Sequence, residues 1–150
     1  MKYLTKFIFI FLSLSIALLA QTHEMNPARL SLEEGQDGSY SGLWMFPINA
    51  VGLPAEVSFT DCEEKQRNLP EIQGKYLVSN IIINCEETLK GKEIAFKGLT
   101  RLTDALVSVK FLDKTTFEGL ATINTPKFDI PQEVSIYPVS YTHLTLPTNC

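Results

Sequence analysis

From Ala28 onward apolar and polar side chains trade places at every second position, and this period of two constrains the fold more than any other feature of the chain. Ala28, Leu30 and Leu32 alternate with Arg29, Ser31 and Glu33. Successive side chains of an extended strand point to opposite faces, so such a run has one oily side and one wet side. The pattern returns at Tyr40, Gly42, Trp44 and Phe46, stopped by Pro47, and again at Ala55, Val57 and Phe59. Ala105, Val107, Val109 and Phe111 make another stripe, with Ser108 and Lys110 facing away. Tyr76 to Cys85 is the strongest strand, because β-branched residues crowd at Val78, Ile81, Ile82 and Ile83. Shorter candidates are 94–96, between Gly91 and Gly98, then 117–123, and a last piece around Phe128 bracketed by Pro126 and Pro131.

Turn chemistry punctuates these runs. Gln36-Asp37-Gly38 signals a tight hairpin, since Asp and Gly tolerate positive φ, and Asp113-Lys114 turns the chain toward Phe117. The polar stretch 61–74, with Pro70 inside it, reads as a long loop. That leaves about eight short strands, no amphipathic helix, no internal repeat and no low-complexity linker. The expected fold is all-β, an antiparallel two-layer β-sandwich, with an eight-stranded β-barrel as the alternative that strand spacing leaves open.

Both ends are set apart from this domain. Lys2 and Lys6 flank the start, 7–20 is an uncharged apolar run, and a small residue stands at Ala20. A short basic region, an apolar stretch shorter than the roughly 20 residues of a membrane span, and a small residue at the cut define a secretory signal peptide, here a helix over 1–20. A retained membrane anchor is the other reading of this run, and Leu18 stands where a smaller residue is preferred. No cysteine follows the run, which argues against a lipoprotein. At the far end, 139–148 resembles a translated transposase-type sequencing adapter, so 139–150 is expected to be an artefactual tail, with the natural frame cut near Pro138. His143 and Cys150 are accordingly set aside as site residues.

The remaining domain, 21–138, keeps 11 of the 13 Lys and Arg and all 17 Asp and Glu, a formal net charge of −6. Such an acidic balance disfavours nucleic acid and anionic headgroups, and mildly favours cations. The length suffices to bury a core without staples, and the stripes are complete by Phe128, so the domain is expected to fold alone.

Chemistry has few places to live. Once the tail is set aside, His23 is the one histidine. There is no nucleophile-elbow serine, no thiol–histidine pair, no glycine-rich phosphate loop, and no carboxylate pair at a spacing suited to acid–base work, so a non-enzyme is expected. Cys62 and Cys85 lie at the ends of expected strands in an exported chain, and a disulfide is the simplest use for them. Two cysteines alone do not close a zinc site.

Three constellations remain. Cleavage after Ala20 would leave Gln21-Thr22-His23-Glu24-Met25 as the new amino terminus, where a free amine, two backbone amides and a third-position imidazole chelate Cu(II) or Ni(II) in a square plane. Cyclisation of Gln21 would consume the amine, and the plainer reading is a polar lead-in to the first strand. Asp61, Glu63, Glu64, Glu86 and Glu87 flank the cysteines, so a bridge would draw five carboxylates to one rim. Such a rim is either a hard-cation site or, more simply, a solvated edge. Tyr40, Trp44 and Phe46 would serve either as core or as a sugar-stacking platform.

The order and spacing of several short motifs resemble the amino-terminal region of HupE/UreJ-like proteins. These are 23–30 (HEMNPARL) after the signal peptide, Leu43-Trp44 with Pro47, the Cys62 and Cys85 pair, and Gly91, Ile94, Phe96 and Gly98-Leu99. Thr103-Asp104-Ala105-Leu106-Val107, Asp113 and 126–131 (PKFDIP) complete the series, which covers essentially 21–131. The resemblance implies an exported, periplasmic domain preceding a bundle of transmembrane helices, membrane-attached in the longer protein, with a role in nickel or related metal uptake. It brings no catalytic residue. It adds interest to His23, Glu24 and Met25 as nitrogen, oxygen and thioether donors near such a pathway. The partners it implies are the missing transmembrane region and transition-metal ions. A free-standing secreted module that binds a protein or glycan is the competing expectation.

Overall fold

The computed structural model describes residues 26–50 and 52–134. The signal-peptide helix, the metal-donor set His23, Glu24 and Met25, and the tail 139–150 lie outside the described residues. Ten strands follow one another: β1 (Ala28–Glu34), β2 (Ser39–Pro47), β3 (Glu56–Phe59), β4 (Cys62–Arg67) and β5 (Glu71–Gln73). Then come β6 (Tyr76–Cys85), β7 (Glu93–Lys97), β8 (Ala105–Lys110), β9 (Thr116–Ala121) and β10 (Lys127–Asp129), with no helix among the described residues.

A seven-stranded sheet runs β4-β6-β2-β1-β8-β9, with β5 pairing the first part of β6, and a three-stranded sheet runs β10-β7-β3. The alternating stripes form one interior between them. Leu30 and Leu32 of β1, Val107 and Val109 of β8, and Ile94 and Phe96 of β7 belong to the same buried cluster. Rings carry it across the sandwich: Trp44 of β2 stands 5.6 Å from Phe96 of β7, Phe96 stands 6.4 Å from Phe128 of β10, and Phe128 stands 5.5 Å from Phe117 of β9. These tilted contacts at 5–7 Å are the favourable aromatic geometry.

Both turns read from the sequence form. Gly38 takes a φ of 79° in the β1–β2 hairpin, where Asp37 Oδ1 accepts from the Ser39 amide at 3.1 Å. Lys114 takes a φ of 68° between β8 and β9, and Asp113 Oδ1 accepts from the Thr115 amide at 2.9 Å.

Three expectations are corrected. The large sheet is not purely antiparallel, because β1 pairs β8 in parallel, from Ala28 opposite Ala105 to Glu33 opposite Lys110. Alternation assigns faces, and it is identical for either strand direction, so direction was invisible to it. The sheets do not close into a barrel: β4, β5 and β9 are edges of one sheet, β3 and β10 of the other. The stretch 61–74 is not a loop but contributes β4 and β5, paired with the two halves of β6. Nearly every residue of β4 and β5 is exposed, so no apolar stripe announces them. Their backbone pairing with β6 holds them, and Glu63, Glu64, Lys65 and Arg67 blunt the open edge against further pairing.

Candidate functional site

Cys62 opens β4 and Cys85 closes β6, directly opposite each other in the antiparallel register. Their Cα atoms are 4.2 Å apart and their sulfurs 2.10 Å apart, at disulfide bonding distance. The chain reaches Cys62 from β3, in the other sheet, through Thr60 and Asp61 alone. Asp61 makes that jump with a φ of 55°, a left-handed conformation that Asp accepts more readily than most residues. The cross-link therefore sits where the two sheets meet.

Beside it opens a cleft of about 770 Å³ lined by Asp61, Glu63, Glu86 and Glu87, with Asn84, Lys90, Lys92 and Gln132. Four of the five carboxylates expected on this rim are there. Glu64 is not among the lining residues, and takes a two-point contact from Arg67, at 2.9 and 2.6 Å. A bulge between Glu64 and Gln66 interrupts the alternation of β4 at this point.

Lysines that sequence reasoning left out of the rim temper its charge. Lys92 Nζ donates to the Asp61 carbonyl at 3.0 Å, and Lys65 Nζ meets Glu63 at 2.5 Å. Lys90 reaches Asp113 at 2.5 Å and lies 4.8 Å above the Phe111 ring. Its hydrogen bond, joined by those of Thr115, lowers the Asp113 carboxyl to about 2. Gly91, between the two lysines, takes a φ of 78°, and a Cβ there would stand 2.0 Å from Gln132 Nε2, so the turn lets Gln132 fold over the backbone. The Lys-Gly-Lys run just after Glu86-Glu87 is the signal that could have found them. Carboxylates and lysines together make the rim a mixed-charge groove. Among the described residues no three His, Cys, Asp or Glu side chains gather as a metal site.

Under this end, Tyr40 is fully buried and still hydrogen-bonded. Its hydroxyl donates to Glu34 Oε1 at 2.7 Å and accepts from the Leu89 amide at 3.0 Å. Burial pushes the phenol above its ordinary value. The Glu34 carboxylate also accepts from the Leu112 amide at 2.9 Å, tying β1 to the turn after β8. Trp44 and Phe46 are buried as well, so the aromatic stripe is core and offers no face to a sugar.

A second, smaller concavity of about 220 Å³ lies at the opposite end, lined by Pro27, Leu102, Asp104, Leu106 and Leu120. Asp104 is a lead-in residue there, its backbone carbonyl accepting from the Ala28 amide at 2.8 Å.

Fold and site together define an all-β, sandwich-like domain with one cross-strand cysteine bridge and a charged cleft beside it. The chain matches no protein-family model and no curated protein.

Proposed function

We propose that this chain is the non-catalytic extracytoplasmic domain of a HupE/UreJ-like membrane protein, exported by its amino-terminal leader and acting beside a membrane part in the uptake of nickel or a related transition metal. The observation that carries the reading is the pair Cys62 and Cys85, at bonding distance between the edge strand β4 and its neighbour β6. Such a bridge forms and persists in oxidising compartments, and reducing ones keep the thiols free. The motifs that resemble the family bracket the same pair. The metal is cargo in this reading, met by His23, Glu24 and Met25 at the processed amino terminus.

Two measurements test it. Genomic DNA read past codon 138 should encode several apolar spans; an early stop would remove the membrane-protein reading. The exported and processed chain should bind Cu(II) or Ni(II), and His23→Ala should abolish that binding. Equal binding by both forms would remove the metal role.

A second reading, a free-standing secreted module for a protein or glycan partner, is favoured by the apolar concavity around Leu102, Leu106 and Leu120. The early stop is its signature.

A further inference from the structure

Strand β9 ends the large sheet, and among the described residues its outer edge pairs with no strand. Two hydrogen bonds fix which of its backbone groups point there. The Phe111 amide donates to the Thr115 carbonyl at 2.9 Å, so the bonded partners along β8 and β9 are 109 with 117, 107 with 119 and 105 with 121. The Ala28 amide donates to the Asp104 carbonyl at 2.8 Å, which turns the even-numbered residues of β8 toward β1 and agrees with that alternation. The N–H and C=O groups of Thr116, Glu118 and Leu120 therefore point away from β8, into the open edge.

The other edges are guarded or short, and this one is neither. β4 carries Glu63, Glu64, Lys65 and Arg67, and the Arg67 guanidinium donates to the Val57 carbonyl of β3 at 3.2 Å. β5 and β10 have three residues each. β9 has six, TFEGLA, with Glu118 as its single charge. A long and nearly uncharged edge of this kind is a template for another strand. Apolar surface lies on both faces beside it. On the outer face Leu120 is 52% exposed and its register partner Leu106 42%, and the two line one concavity with Leu102 and Pro27. On the inner face Phe117 and Phe128 are half-buried, their rings 5.5 Å apart where β9 and β10 meet across the sandwich. Glu118 is exposed in the middle of the edge and makes no ion pair among the described residues.

We propose that the open edge of β9 is a strand-addition site for an extended segment of another protein, one with a lysine or arginine opposite Glu118 and an aliphatic side chain two positions away. The added strand bonds to the outward amides and carbonyls of Thr116, Glu118 and Leu120, which supplies affinity, while its alternate side chains supply specificity. The aliphatic side chain faces Leu120, at the Cβ separation of about 5 Å usual for cross-strand neighbours. The residue between it and the basic one points inward, toward Phe117 and Phe128. Charge selects this occupant over a second copy of the chain. In the two-fold antiparallel register that uses all three outward residues, the two Glu118 carboxylates stand face to face, and like charges directly opposite are destabilising. The site does not depend on the family resemblance.

The peptide TVKVLVT, capped at both ends, is the probe, and residue-resolved amide exchange of the full chain is the readout. Adding the peptide should slow exchange of the Thr116, Glu118 and Leu120 amides severalfold. The amides of Phe117, Gly119 and Ala121, already bonded to β8, should change little, so the new protection should alternate along β9. In the variant Glu118→Lys, which alters only an exposed side chain, TVKVLVT should protect severalfold less and TVEVLVT severalfold more. No protection by TVKVLVT, protection without alternation, or equal protection of β4 would overturn the proposal. So would an unchanged peptide preference in Glu118→Lys, or alternation that appears without peptide and grows with protein concentration, which would make a second copy the occupant.

Discussion

The indole Nε1 of Trp44 donates to the backbone carbonyl of Ala55 at 3.1 Å, so the large sheet is hydrogen-bonded to the segment that leads into β3 of the small one. Trp44 is 4% exposed, which leaves that carbonyl no ready access to water. Trp44→Phe keeps most of the ring packing and strands the acceptor. It should cost about 1–3 kcal/mol, the usual penalty for an unpaired buried polar group. Trp44→Ala should cost roughly 3–5 kcal/mol, since it also opens a cavity beside Phe96. Urea unfolding followed by circular dichroism measures both, and equal effects would show that the hydrogen bond is not the distinguishing contact.

Gly42 stands on the inward face of β2, yet no side chain fits there. A Cβ would come within 1.8 Å of the Ser31 carbonyl oxygen and 2.9 Å of the Leu32 Cα, both backbone atoms that cannot swing aside. Gly42→Ala should therefore force β1 and β2 apart and destabilise by at least ~1–3 kcal/mol. Gly38→Ala, in open space with a φ of 79°, should cost only about 1 kcal/mol. The ranking of the two midpoints in a denaturant titration checks the close approach.

Replacing Cys62 and Cys85 together by Ala should lower stability by roughly 3 kcal/mol, the cross-link stabilisation expected for a separation of 23 residues. The loss should concentrate at the edge. Amide exchange in β4, whose side chains bury little, should accelerate far more than exchange in β1 or β2. Uniform acceleration would mean that the bridge supports the whole sandwich and not its margin.

Acid should weaken the fold through the Lys90–Asp113 pair. The Asp113 carboxyl titrates near 2 when folded, held down first by Lys90 and then by Thr115, against about 3.9 for an unperturbed Asp. A depressed folded value means that the unfolded chain binds more protons, so the contribution is complete above pH ~4 and disappears as pH falls through about 2. Asp37, lowered by its hydrogen bonds from Ser39, adds a slope of the same sign. Asp113→Asn should reduce the dependence of stability on pH between ~4 and ~2. An identical slope in both proteins would assign the acid sensitivity elsewhere.

Much of the architecture was legible because burial leaves a period. The stripes through Leu30, Trp44, Ile81, Ile94 and Val107 each became a strand with those residues inside. The hairpin at Gly38 and the turn at Lys114 were readable because positive φ needs particular residues. β4 and β5 were not, since strands exposed on both faces carry no contrast to read. The acidic rim was half legible: the bridge brought Asp61, Glu63, Glu86 and Glu87 together, but Lys90, Lys92 and Gln132 arrived by a turn at Gly91 that alternation does not describe.

What the sequence determined by itself was which side of each strand would be dry, and with it an all-β domain closed over a single interior. Side-chain polarity along an extended chain is enough for that, because every second residue must share a face. Only the tertiary structure decided that β1 and β8 run side by side in the same direction, and that the cysteines face each other across an edge. Those outcomes depend on strand order and direction, which are set by how connections of fixed length pack over the core and leave no mark in the local alternation.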